Sequence, residues 1–281
     1  VEGKRRPFTP AELETFFHVP LFTGCESEHR LKKPGDYLYR GGKYWLPILA
    51  CFTGGRLSEL CELQVKDVRQ WGDGMWYASI ALILERHEGD VIPKGYSDEV
   101  ATATGRRKKA KTERSRRLIP LHPDLLALGF LDFVAARRHA GGGDALLFDE
   151  VTNYGPIFNR NEHDGTLKVE GVLASAGIKF RDTSFHSFRH AFNDTVRDRK
   201  FDSQLQARLM GHAPTGSGKH YGSQLTPGEA EQFLAFRFPV DLGHLRPAAL
   251  KEPTTAPAPK PKGAPRKRVL VPGKASARTG G

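Results

Sequence analysis

Two stretches in the second half of the chain hold residues that could act together on one anion. Around residue 186 the sequence reads Ser184-Phe-His186-Ser-Phe-Arg189-His190-Ala-Phe192. The three-residue step from His186 to Arg189 puts an imidazole and a guanidinium on one face of a helix. Further on comes Leu209-Met-Gly-His212-Ala-Pro-Thr-Gly-Ser-Gly-Lys-His-Tyr221-Gly222. Nine residues separate His212 from Tyr221, and the Gly-Ser-Gly break between them can bend the backbone back toward the same anion. Together these residues supply a nucleophile, a proton handler and an oxyanion clamp. Taken singly, a His-x-x-Arg pair is more often a solvated helix face and a lone Tyr is usually packing, so the weight lies in order and spacing.

Upstream, Thr53-Gly-Gly-Arg56-Leu-Ser-Glu59-Leu60 sits at the end of an apolar helix, and Lys111-Thr112 precedes the strand-like Arg116-Arg117-Leu118-Ile119-Pro120-Leu121. Arg56, Lys111, His186, Arg189, His212 and Tyr221, in that order, resemble the Arg-Lys-His-x-x-Arg-His-Tyr set of the tyrosine recombinases, the phage-integrase family. The resemblance runs from about residue 45 to about residue 245. It implies an α+β, mainly α-helical catalytic-domain fold with a small antiparallel β-sheet. It also implies site-specific breakage and rejoining of double-stranded DNA through a 3′-phosphotyrosine, with no cofactor, metal or ATP, by a homo-oligomer, a tetramer on DNA. In that chemistry Tyr221 attacks phosphorus and His186 takes the phenolic proton. Arg56 and Arg189 clamp the non-bridging oxygens, His212 hydrogen-bonds one of them, and Lys111 protonates the departing 5′-oxygen. Lys108 and Lys109 are near competitors for the role of Lys111. A lysine titrates near about 10.4, and the surrounding cations would lower that value. Glu59, three residues beyond Arg56, reads as an ion pair orienting it, or else as an ordinary surface pair contributing only about 0.3 kcal/mol.

Composition agrees with a polyanionic partner. The 281 residues carry a net charge of +11. Residues 247–281 hold eight Lys or Arg against one acid, Glu252, which leaves only +4 on the rest. Arg106, Arg107, Lys108, Lys109, Lys111, Arg114, Arg116 and Arg117 lie within twelve residues opposed by Glu113 alone, a run that is either a solvated loop or a track along a DNA backbone. The longest apolar runs, such as Trp45 to Phe52, fall far short of the roughly 20 residues of a membrane span. Without a signal peptide in view, a cytoplasmic location is expected. Three cysteines, Cys25, Cys51 and Cys61, suggest packed thiols rather than a disulfide framework.

The elements that must position the site follow from pattern. Residues 7–18 form a first helix with Thr9 as N-cap and Pro10 at its first position. Tyr44 to Cys51 is a buried helix carrying Arg56 at its far end. Met75 to Leu84 is a strand, residues of about 85–110 form an insertion, and His122 opens a helix running to about Ala140. Asn161 to Asp164 is a polar loop, Leu167 to Ala176 a helix, and Ser184 the cap of the helix holding His186 and Arg189. Phe201 to Leu209 and Pro227 to Phe236 are helical, and Phe238 to Leu245 is extended, of a kind that in the family often packs onto a neighbouring subunit. The domain reading is one catalytic domain over 1–246 and a basic, Pro/Ala-rich disordered tail over 247–281. Because most family members carry a helical DNA-binding domain ahead of the catalytic one, an accessory DNA-binding domain or protein is a further expectation. Two alternatives remain: a type IB topoisomerase-like enzyme, and a DNA-binding protein that has lost catalysis.

Overall fold

The computed structural model describes residues 6–70, 74–80, 117–151, 162–163, 168–169, 173, 182–212 and 225–247. Helix α1 spans Pro10–Phe17 and opens on a capping box, in which the Thr9 hydroxyl accepts from the Glu12 N–H and the Glu12 carboxylate accepts from the Thr9 N–H. Leu13, Phe16 and Phe17 form its buried face. Helix α2, Pro20–Thr23, adds Phe22 to that cluster. Helix α3, Gly42–Thr53, is buried on nearly every side, as expected of a helix apolar all round.

α3 stops at Gly54, whose φ of +60° is left-handed. A Cβ there would lie 2.5 Å from the Phe192 ring, so glycine answers both the turn and the close approach. Here the sequence expectation is corrected. Arg56 does not ride the far end of α3; it is the extended N-cap residue of a new helix, α4 (Leu57–Cys61). A 3₁₀ turn at Val65–Asp67 leads into β1 (Val68–Gln70), β2 is Trp76–Ile80 and β3 is Arg117–Pro120. They form an antiparallel sheet in the order β1-β2-β3, with Ala78 opposite both Val68 and Ile119 and Ile80 opposite Arg117.

The expected single helix from His122 to about Ala140 is two, α5 (Pro123–Ala127) and α6 (Phe130–Gly141), because Gly129 at φ +85° breaks the ladder. Glu162–His163 (β4) and Lys168–Val169 (β5) pair antiparallel, so a strand stands at 162–163 where a polar loop was expected and another at 168–169 where a helix was. Helix α7 is His186–Asp198. Ser184 does not cap it: Phe185 occupies the N-cap without a side-chain bond, and the Ser184 N–H donates to the Ser187 hydroxyl. Helix α8 is Ser203–Met210 and α9 is Pro227–Leu234.

Helix α7 packs on α3, and Phe188 anchors it to the first helices, with ring centroids 4.6 Å from Phe8 and 5.1 Å from Phe16. Burying each such ring contributes about 1.5–3 kcal/mol. The segment after α9 is not simply extended. It ends in a 3₁₀ turn at Gly243–Leu245, and Phe236, Val240, Leu242 and Leu245 are buried in the chain's own core. The three cysteines are free and buried. No helix among the described residues is long and apolar enough to cross a membrane. The insertion, the basic run from Arg106 to Arg116 and the tail from residue 248 lie outside the described residues.

Candidate functional site

Helices α3 and α8 end in the same way. Each terminates in a left-handed glycine, Gly54 at φ +60° and Gly211 at φ +61°. A helix C-terminus leaves carbonyl oxygens without donors and carries partial negative charge. Here those oxygens are taken by guanidinium groups. Arg189, one turn into α7 and 3 % exposed, donates through Nη1 to the Gly54 carbonyl and through Nη2 to the Met210 carbonyl. Arg117, first residue of β3 and 2 % exposed, donates through Nε to the neighbouring Leu209 carbonyl at 2.8 Å.

One carboxylate joins Arg56 to Arg117. Glu59 Oε1 accepts from Arg56 Nη1 at 2.5 Å, and its Oε2 accepts from the Arg56 backbone N–H at 2.9 Å and from Arg117 Nη2 at 3.0 Å. Burial alone would raise the Glu59 pKa, but Arg117 and Arg56 outweigh it and hold the carboxyl below its ordinary value. Burial lowers Arg117, with Glu59 opposing. Arg189 is pushed down to about 9 by burial and then by the like charges of Arg117 and Arg56, and so stays protonated at neutral pH. Among the described residues, three guanidiniums face one carboxylate, an excess of two positive charges. The hydrogen bonds that hold Arg189 go to helix-end carbonyls, and Glu59 acts on it only at longer range. Arg56, whose side chain is 27 % exposed, brings the cluster to the surface.

His212 lies at the rim. Its Nε2 is 3.0 Å from Arg189 Nη2. A guanidinium can only donate, so Nε2 accepts and the proton of the neutral ring sits on Nδ1. Burial first, then Arg189, Arg56 and Arg117, lower its pKa and favour that neutral form. His186 is the exposed first residue of α7, one turn before Arg189 on the same helix, with its ring edge-on to His190 at 4.6 Å.

No family model matches the chain, and no curated protein does. Solved structures similar to it include the XerH site-specific recombinase bound to difH substrate in a pre-cleavage complex, at TM-score 0.45 and 16 % identity over 83 % of this chain and 51 % of that one. A second is the Tn1549 transposon integrase in complex with transposon right end DNA, at 0.44 and 20 % identity over 80 % and 64 %. A third is XerH bound to palindromic difH in a post-cleavage complex, at 0.43 and 18 % over 75 % and 48 %. The chain thus spans about half to two thirds of the length of these solved chains.

Of the residues expected from sequence, Arg56 and Glu59 are bonded to each other and Arg189 to His212, the two pairs meeting at the adjacent Leu209 and Met210 carbonyls through Arg117 and Arg189, and His186 sits on the helix that supplies Arg189. Lys111 and Tyr221 lie outside the described residues, as do Arg106, Arg107, Lys108, Lys109, Arg114 and Arg116. The ends of the segment that holds Tyr221 are stapled, because Arg208 of α8 bonds Glu229 of α9, the residue that also completes the capping box with Thr226. Sequence reasoning missed Arg117. It was grouped with the basic run facing DNA, whereas it is buried. The signal was its place at the head of the apolar Leu118-Ile119-Pro120-Leu121, where two adjacent arginines on a strand must point to opposite faces.

Proposed function

We propose that this chain is the catalytic portion of a site-specific DNA strand transferase that works through a 3′-phosphotyrosine. The supporting observation is the charge surplus. Among the described residues, Arg56, Arg117 and Arg189 lie together with a single carboxylate, and a cluster with that imbalance gains stability from a bound anion such as a phosphodiester. In this reading Arg56 and Arg189 donate to the non-bridging oxygens, and His212 donates its Nδ1–H to one of them.

In the proposed reaction the Tyr221 oxygen attacks phosphorus while His186 takes the phenolic proton. The bond from phosphorus to the 5′-oxygen breaks, and Lys111 protonates that oxygen. The new phosphotyrosine keeps the energy of the broken bond, so a 5′-hydroxyl of another strand can reverse the step and reseal DNA. Double-stranded DNA is the proposed partner, and a homo-oligomer on that DNA the proposed working state.

A duplex nicked beside the scissile phosphate tests this. Wild-type protein is expected to form a covalent adduct with it, and Tyr221→Phe none. Arg56→Ala and Arg189→Ala are each expected to slow adduct formation by about 10²- to 10³-fold, the usual cost of one preorganised donor to a developing oxyanion. Tight binding by the wild type without any adduct would sink the assignment in favour of a DNA-binding module.

A further inference from the structure

Arg117 is costly to place where it is. Its side chain is 2 % exposed, it lies beside two groups of like charge, and burial pushes its pKa down. A buried ion pair is commonly no more stabilising than apolar residues of the same volume, so stability of the sheet does not account for it. Two of its bonds reach separate elements among the described residues. Nε holds the Leu209 carbonyl at the end of α8, and Nη2 holds Glu59 Oε2 on α4. Glu59 spends its other oxygen on the Arg56 guanidinium. A chain of contacts therefore runs from α8 through Arg117 and Glu59 to the guanidinium at the surface.

We infer that Arg117 is a positioning residue: it fixes Glu59 and, through Glu59, aims Arg56 at the anion, while tying the start of β3 to the end of α8 beside Arg189 and His212. This rests on the phosphate-site reading above. Bonded to Glu59 rather than to a group at the rim such as His212, Arg117 acts through Arg56. The planar fork matters, because a lysine keeps the charge but offers a single nitrogen in place of two bonds in fixed directions. With Arg117 lost, the buried Glu59 carboxylate is no longer held from the β3 side, and the Arg56 guanidinium paired with it gains a second orientation.

The experiment uses Arg117→Lys, which keeps Glu59 paired and the variant folded; Arg117→Ala would strand a buried carboxylate. Inorganic phosphate is titrated into wild type and variant while the side-chain Nε–H resonances of Arg56 and Arg189 are followed by NMR. Both resonances are expected to move in the wild type. In Arg117→Lys the Arg56 response should weaken about tenfold in apparent affinity while Arg189 still responds, the size of loss expected when one charge-assisted hydrogen bond to the anion is misaimed and not removed. Equal Arg56 responses in the two proteins overturn the inference, and this readout does not depend on any DNA chemistry.

Adduct formation on the nicked duplex is then measured for Arg117→Lys, Arg56→Lys and the double variant. If Arg117 works through Arg56, the double variant is no slower than Arg56→Lys, whereas independent roles multiply. Multiplied losses overturn the inference. Absence of adduct with wild type instead overturns the strand-transferase reading, and the phosphate titration still decides the role of Arg117.

Discussion

Two of the buried polar places in this core are built on opposite terms. Around His122, 3 % exposed, each ring nitrogen has a backbone partner, and the Asp124 carboxylate stands 3.6 Å from Nδ1. Nδ1 accepts from the Asp124 backbone N–H at 3.1 Å, capping α5, and Nε2–H donates to the Phe236 carbonyl at 2.8 Å, holding down the segment after α9. Phe52 stacks on the ring at 5.3 Å and Phe236 meets it at 4.8 Å. Both ring nitrogens are satisfied. The cluster around Glu59 carries, among the described residues, two positive charges more than its one carboxylate neutralises. A polar group that closes on its neighbours serves the fold, and one that remains unbalanced is provision for a ligand.

That contrast orders the expected effects on stability. The largest belongs to Glu59→Ala, which removes the carboxylate between Arg56 and Arg117 and should cost about 3–5 kcal/mol, the range for orphaning a buried charge. Thermal or urea denaturation measures it, and added sulfate should recover part of the loss. A Glu59→Ala variant no less stable than His122→Ala would break the comparison. His122→Ala comes next, at about 1–3 kcal/mol for two buried backbone groups losing a partner. Adduct formation per folded molecule should be unchanged in that variant.

Smaller again is the cost of Arg189→Met. It leaves the Gly54 and Met210 carbonyls short of a donor, but relieves repulsion with Arg117 and Arg56. The two nearly offset, for a net stability loss under about 1 kcal/mol. Cleavage should nonetheless fall by about 10²- to 10³-fold. A variant that loses stability and activity in parallel would mean that Arg189 belongs with His122 as a structural group.

Arg56, Glu59, Arg189 and His212 stood out in sequence through the order and spacing that resemble the family's set, and the fold brings them close together, whereas several of the elements bearing them were read with wrong bounds. Burial cannot be read that way for a residue such as Arg117, since composition marks it as one more cation in a basic run. Periodicity found α1, α3 and α7, whose apolar stripes are long. It missed β1 and the short β4 and β5, which are too brief to show a period, and it ran α5 into α6 because one left-handed glycine breaks a helix without changing its apolar content. The Gly54 turn was likewise read as helix end plus passenger, when it is a junction whose carbonyl serves an arginine distant in sequence.

The smallest effect separates the two places by their response to an anion. His122 has its pKa lowered by burial, with the Phe236 carbonyl and Asp124 opposing and Arg237 assisting; His212 is lowered by burial and then by Arg189, Arg56 and Arg117. In both cases the native state refuses a proton that the unfolded chain accepts below the ordinary imidazole value of about 6.5. The unfolded state then binds more protons, so stability is full above that value and is lost as pH falls from there toward the folded pKa. His122→Asn keeps a side chain able to cap α5 but cannot titrate in this range, so the acid slope should flatten to the share owed to His212. Sulfate seated among the arginines cancels the repulsion that adds to burial in depressing His212 and should reduce that remaining share, while leaving the His122 share of wild type in place. Unfolding midpoints between about pH 5 and about pH 7.5, with and without sulfate, measure both. A residual slope in His122→Asn that sulfate does not touch would mean that the surplus charge around Glu59 is not available to an anion.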